Sequence, residues 1–471
     1  VDILCITQKA VEFYRMNLRK KLNLGRREMN LRMCLLCIPV QSERGEFQQD
    51  VLQQEVLFME ENDILFTPIK IGSRQVENRF AINAMECCDS DEEGNPTDKT
   101  YRRYERHFRG ESGVIVLEAI TVTYESRGRL MELSVMPRNR KALTKFVSEM
   151  KKVNDKPLFF WQLTHSGELS HPDFSRRVCV KPLPGFGGDL LTEEDIEKIM
   201  DQFVLSAKIA HDCGADGIDF KLCHGYLGSQ LLRPYNDRKW KYGGSWENRT
   251  RFAYETYERI IREVNDPDFI VGSKVSIWEG FPGGQGSAGP DTAIIDLTES
   301  LNLVKGIEER GARFILVSAG SPSITLALSQ PDKSIPDDVY LHHTFQKAVS
   351  DVVKPETVVI GSAYSVLRNG KNKLLAVKEE EASALYWARK NIKDGVCDMI
   401  AFGRQSLADS LIPLKLKEGR EDEIKWCTAC DNCIEFLIRQ KNVGCATYDR
   451  EYTESLKRIR EEEGSLRAKH T

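Results

Sequence analysis

The feature that most limits how this chain can fold is a series of eight short apolar runs that do not alternate with polar residues. They lie at 79–85, 113–119 (GVIVLEA), 157–163 (PLFFWQL), 217–220 (GIDF), 269–276 (FIVGSKVS), 313–320 (RFILVSAG), 357–362 (TVVIGS) and 399–403 (MIAFG). A strand apolar on both faces must be covered on both faces, which is the condition of a parallel sheet flanked by helices. Helical periodicity fills the gaps, over 139–150, 193–212, 248–264, 293–310, 342–352 and 377–394. Eight such strands alternating with helices predict an α/β chain closed into a (β/α)8 barrel rather than an open doubly wound sheet. No Gly-rich dinucleotide fingerprint follows the first strand, and GFGG at 185–188 falls in a loop, so a Rossmann domain is not expected.

A barrel keeps its chemistry at the C-terminal ends of its strands, and polar side chains gather there. Glu86 follows the first strand, Glu118 closes the second, and Gln162 and His165 end the third. The fourth delivers Lys221, His224 and Tyr226 within six residues, a cation, an imidazole and a phenol together, and Lys274 lies within the fifth. The last two strands end in Gly361-Ser362 and Gly403-Arg404, each before a potential helix. Exposed backbone N–H groups at a helix start, with an arginine beside them, suit a phosphate.

Thirteen cysteines are many for a reducing compartment, and four of them are concentrated after Lys417. Cys427, Cys430 and Cys433 are spaced CxxCxxC, and Cys445 follows. Four soft thiolates suit either a [4Fe-4S] cluster or zinc, and the triple spacing, unlike paired CxxC units, favours iron–sulfur. Cys34 and Cys37 form a CxxC with no second pair nearby, and are read with the other scattered cysteines as small buried hydrophobes.

The net charge of −4, with 67 Lys and Arg against 71 Asp and Glu, gives no reason to expect nucleic acid or a membrane surface as partner. No apolar run approaches the ~18 residues of a spanning helix. The start lacks the pattern of an export leader, so the cytoplasm is the expected compartment. The division expected is a helical extension over 1–60, a barrel over 61–418, and a metal module with a charged tail over 419–471.

Residues from about 65 to 450 resemble the old yellow enzyme superfamily, and in particular its iron–sulfur members. The matching pieces are LFTPIKIG and ENR at the opening, QLTHSG at 162–167, HGYLGSQLLRPYNDRKWKYGGSWENR at 224–249, DMIAFGRQSLAD at 398–409, and the CxxCxxC group. The resemblance implies an FMN-binding barrel with an adjacent [4Fe-4S] cluster held by Cys427, Cys430, Cys433 and Cys445. It places Asn83, Ala84, Met85 and Glu86 beside the flavin ring, Gln162 on its pyrimidine side, and Lys274 where the family has arginine. Gly361, Ser362, Gly403 and Arg404 fall on the phosphate positions. At the substrate, His224 and Lys221 would grip a carbonyl oxygen and Tyr226 would supply a proton; lysine at 221 departs from the usual histidine. After His165 the family usually continues Gly-Arg, whereas this chain has Gly167-Glu168.

What the resemblance implies for function is reduction of the C=C bond of an α,β-unsaturated carbonyl or carboxylate compound. NAD(P)H or a separate electron-donor protein would supply the electrons, and the chain would be a homo-oligomer. Two alternatives remain: amine oxidation of the dehydrogenase or demethylase kind, against which Lys221 would repel a cationic substrate, and a non-catalytic electron-transfer subunit.

Overall fold

A computed structural model describes residues 63–331, 337–368 and 383–470, with side chains described to 462. The expected extension over 1–60, with Cys34 and Cys37, and the start of the helix expected over 377–394 lie outside the described residues. The chain forms two compact units. The described residues up to Leu414, with those from Ile424 onward, belong to one of them; Lys415–Glu423 belong to the other.

The first unit contains a closed barrel of eight parallel strands. In chain order they are β1 (Phe80–Ile82), β2 (Val114–Thr121), β3 (Leu158–Thr164), β4 (Gly217–Phe220), β5 (Ile270–Ser276), β6 (Phe314–Ser318), β7 (Val358–Gly361) and β8 (Met399–Phe402). Each pairs with the next, and β8 pairs with β1 to close the ring. All eight coincide with the apolar runs of the sequence. The crossover helices are α1 (Asp98–Arg109), α2 (Arg140–Val153), α3 (Glu193–Asp212), α4 (Trp246–Val264), α5 (Thr298–Glu309), α6 (Asp337–Ser350) and α7 (Ala384–Lys393). Helix α5 starts later than its periodicity predicts, because the Asp296 carboxylate accepts the Thr298 N–H and makes a turn there.

Strand parity decides what fills the barrel. Val114, Val116, Leu158, Phe160, Ile270, Phe314, Leu316, Val358, Ile360, Met399 and Ala401 form one buried cluster, with Phe160 and Phe314 stacked 4.8 Å apart. Ile71 and Val76, from a hairpin of Ile69–Ile71 and Arg74–Val76, close its base. The same parity, followed further up each strand, brings Asn83, Gln162, Asp219, Lys274 and Ser318 to the inward face, above the apolar layers. The barrel floor is therefore apolar and its C-terminal mouth polar. Glu118 leaves this pattern because the β2–β3 register shifts between Leu117 and Ile120; it pairs with Arg103 of α1 and accepts the Cys87 N–H at 2.8 Å.

Beyond β8 come a short helix, Arg404–Ala408, the cysteine loop, and helices Asn432–Ile438 and Arg450–His470. Phe436, Val443, Tyr452 and Leu456 pack on Cys87 and Met85, so this segment sits on the loop that follows β1. Among the described residues no helix is long and apolar enough to cross a membrane.

Candidate active site

The site is built on the turn after β4. Lys221 continues the inward parity of Asp219, and the chain then reverses through His224 (φ +62) and Gly225 (φ +78). A left-handed histidine is uncommon and costs energy, and the surroundings hold it there: its N–H donates to Ser276 Oγ at 3.0 Å. A Cβ at residue 225 would lie 2.5 Å from Ser321 Oγ, so glycine is required on both counts. The reversal presents His224 and Tyr226 at one mouth, with Leu227–Leu232 starting a short helix behind them.

Glu86 is the hub of the mouth. Its Oε1 accepts from Tyr226 Oη at 2.5 Å and from Lys221 Nζ at 3.1 Å, while Oε2 accepts from Arg129 Nε at 2.9 Å. Burial alone would raise this carboxyl, but the charges of Lys221 and Arg129 and the phenol hydrogen bond outweigh it and hold Glu86 ionised. Burial and the Glu86 charge push Tyr226 well above the ordinary phenol value, so it carries its proton. His224 donates or accepts at Ser318 Oγ, 2.8 Å away; burial, then the charges of Lys274 and Lys221, keep its imidazole neutral.

Deeper in the barrel, the Asp219 carboxylate accepts from Gln162 Nε2 and from the Lys274 N–H, both at 2.6 Å. Gln162 is therefore turned toward Asp219. Lys274 is 6% exposed, and among the described residues the one hydrogen bond of its ammonium is a long contact, 3.5 Å, to Asn83 Oδ1. Burial lowers its pKa, against the nearby Cys223 and Asp219. A buried cation with donors to spare is the feature of this mouth that best fits an anionic or acceptor-rich ring.

The expected phosphate positions come together only in part. Gly361 lacks a side chain because Gln346 occupies the space, its Oε1 2.4 Å from where a Cβ would be. Ser362 Oγ donates to the Val317 carbonyl at 2.5 Å. Gly403 faces Met85, while the Arg404 guanidinium is taken by Asp431 Oδ1 at 2.6 Å and by the Pro331 carbonyl. Arg404 thus joins the end of β8 to the cysteine loop instead of offering a free fork. Ala84 packs on the barrel core and Met85 on the cysteine segment.

All four clustered cysteines are free thiols. Cys430 and Cys445 bear electrostatically on Cys427, Cys427 and Cys430 on Cys433, and Cys430 on Cys445, which places the four in one neighbourhood; the Arg404 charge bears on Cys427 and Cys433. Among the described residues, no three His, Cys, Asp or Glu side chains converge on a point where one metal ion would sit. Four soft thiols in one neighbourhood are a donor set that either a four-iron cluster or zinc would take. Burial raises Cys433 to about 12, whereas the Thr447 hydroxyl and backbone N–H groups overcome burial at Cys430 and lower it.

His165 is buried, neutral, and accepts the Gly167 N–H at 3.1 Å through Nδ1, which fixes a turn. Glu168 is matched by Arg233, Nη1 to Oε1 at 2.6 Å, and Arg233 also pairs with Glu279. The sequence did not point to Arg129, Ser276 or Ser318. Strand parity would have found Ser318, whereas Arg129 sits in a loop with no period to follow.

The family model described as "NADH:flavin oxidoreductase / NADH oxidase family" matches residues 64–322, more than half of the chain. The NADH oxidase of Thermoanaerobacter brockii is 29% identical over 381 residues, covering 79% of this chain and 53% of the relative. The cinnamate reductase of Clostridium sporogenes is 28% identical, covering 81% and 57%, and the dimethylamine dehydrogenase of Hyphomicrobium sp. 27%, covering 79% and 48%. The chain spans about half the length of these relatives. Among solved structures, a 2-naphthoyl-CoA reductase bound to 2-naphthoyl-CoA has the same fold, at a TM-score of 0.69 and 21% identity, covering 83% of this chain and 58% of that one.

Proposed function

Because this chain belongs to the NADH:flavin oxidoreductase / NADH oxidase family, within the old yellow enzyme superfamily, we propose that it reduces the C=C bond of an α,β-unsaturated carbonyl or carboxylate compound. The observation that carries this reading is the single turn after β4 that presents a neutral imidazole, His224, and a protonated phenol, Tyr226, at the same mouth. Enone-type reduction needs a hydrogen-bond donor for the developing oxyanion and a separate acid for the adjacent carbon.

Bound FMN would supply hydride chemistry, and a [4Fe-4S] cluster would exchange single electrons with it. Lys274, Asn83 and Gln162 would hold the flavin's polar edge, and Cys427, Cys430, Cys433 and Cys445 the cluster. His224, backed by Ser318, orients toward the substrate oxygen; its neutral state lets it donate without an ion's desolvation cost. Tyr226 holds a proton on Oη for the α carbon. A phenolate left there lies near two cations, Lys221 and Arg129, while Glu86 opposes it. NAD(P)H or a separate donor protein would return the electrons.

Amine oxidation is the second reading. Lys221 would repel a cationic substrate, but Glu86 neutralises it at 3.1 Å, and dimethylamine dehydrogenase is among the relatives. Arg129 and Lys274 weigh the other way.

Purification without oxygen, followed by assay of iron, zinc and released flavin, tests both cofactors. One FMN with about four irons supports the reading, and an alkene and amine panel with NADH, NADPH and reduced ferredoxin as donors then separates the two reactions. Zinc without flavin would overturn it.

A further inference from the structure

Lys221 is the residue from which a substrate carboxylate would first be expected to draw its charge partner, and the structure has already spent it. Its ammonium bonds to Glu86 and stands 3.2 Å from the centroid of the Tyr226 ring. Arg129 is different. Its guanidinium uses only Nε, on Glu86 Oε2, and among the described residues neither Nη has a hydrogen-bond partner. The Arg129 side chain keeps 25% of its surface exposed, so the guanidinium is reachable from solvent. With Nε tied down, the end of the planar guanidinium is left as a two-donor fork, the geometry that matches a carboxylate.

The loop is shaped to hold that fork still. The Glu132 carboxyl accepts the N–H groups of Gly128 and Arg129, at 2.8 and 3.1 Å. Gln440, from the segment between the third and fourth clustered cysteines, accepts the Leu130 N–H at 3.0 Å and donates to the Gly128 carbonyl at 3.2 Å. Glu86 joins Arg129 to Tyr226 through one carboxylate, so an anion on the fork lies beside the proposed proton donor.

We propose that Arg129 is the anion anchor of this site and binds the carboxylate of an α,β-unsaturated acid, while Lys221 serves as a strut beneath Tyr226. The assignment rests on the alkene-reductase reading and narrows its substrate class to carboxylate-bearing alkenes.

The test uses the anaerobically purified, flavin-loaded full chain with cinnamate and its methyl ester as a matched pair. Arg129→Gln is expected to raise the KM for the acid by roughly 10- to 100-fold, the worth of a hydrogen bond to a charged group. Losing the Nε bond to Glu86 acts on both substrates alike, so the reading is the ratio: the ester, which lacks the charge that the fork reads, should lose at least about tenfold less than the acid. Arg129→Lys, which keeps the charge without the fork, should fall between. Equal losses on acid and ester, or no change on either, overturn the anchor. Calorimetric binding of 3-phenylpropanoate and its amide gives a readout without turnover. Preference for the acid that weakens in Arg129→Lys and disappears in Arg129→Gln supports the anchor even if no alkene is reduced, in which case the reductase reading alone fails. Equal binding of acid and amide by the unsubstituted protein overturns the anchor while leaving ester reduction intact.

Discussion

The Lys221 ammonium lies over the face of the Tyr226 ring, 3.2 Å from its centroid, while both side chains bond to the same oxygen of Glu86. Cation, phenol and carboxylate are thereby fixed as one unit, and the position of the phenol depends on all three. Tyr226→Phe keeps the ring on Lys221 and removes the proton. Oxidation of the reduced enzyme by alkene should slow by about 10²- to 10⁴-fold, the usual worth of a general acid. Flavin reduction by the nicotinamide should be unaffected. Stopped-flow absorbance separates the two half-reactions, and equal slowing of both would count against Tyr226 as proton donor.

The pH dependence follows from the same burial. Burial, then Lys274 and Lys221, lower His224 against the opposing Glu86 charge, and Tyr226 is raised by burial and by Glu86. The pH profile of kcat/KM should therefore show no limb near about 6.5 from histidine, and none near about 10 from tyrosine. Glu86→Gln removes the charge that opposes phenolate and should bring an alkaline limb down into range. A limb near neutrality that vanishes in His224→Gln would contradict the neutral imidazole.

Glu132 carries a stability signature. Burial and the Glu86 charge raise its carboxyl from 4.5 to about 8. A group raised in the folded state contributes stability that is complete below its unfolded value and drains away as pH rises through the folded one. The contribution of Glu132 is thus lost between pH 4.5 and about 8. Glu132→Gln keeps an acceptor for the loop N–H groups and cannot ionise. Its Tm should fall less than that of the unsubstituted protein between about pH 5 and about pH 8.5, by roughly 2 °C. Parallel melting curves would show that Glu132 does not titrate in this window.

Cys430→Ser and Cys445→Ser should each abolish the iron content and its broad visible absorption. Cys397→Ser, at a buried thiol elsewhere in the barrel, should retain both. Elemental analysis decides, and stoichiometric zinc in the unsubstituted protein would replace the cluster with a structural metal.

Lys274→Met removes the buried cation whose one described hydrogen bond is the long contact to Asn83. Released flavin per chain should fall by about 10-fold, consistent with losing one charge-assisted hydrogen bond. Full flavin retention would mean that the ring's polar edge is held elsewhere.

Much of this molecule could be read from the chain. The eight runs without alternation called for a sheet covered on both faces, and their count pointed to a closed barrel, because side-chain parity and hydrophobic continuity are local properties. The same local rules put Lys221, His224 and Tyr226 at the end of one strand and gathered four cysteines in one segment. Partner choice is not local. Glu86 and Tyr226 are 140 residues apart, Arg404 and Asp431 sit on opposite sides of the cysteine loop entry, and Arg129 lies in a loop with no period. A buried charge takes whichever opposite charge the closed barrel brings within reach, since leaving it unpaired costs several kcal/mol (~3–5). The sequence alone placed Lys221, His224, Tyr226 and Lys274 at the strand ends of the mouth. Only tertiary closure decided that Glu86 would claim Lys221, that Arg404 would turn to the cysteine loop, and that the Arg129 fork would be left without a partner among the described residues.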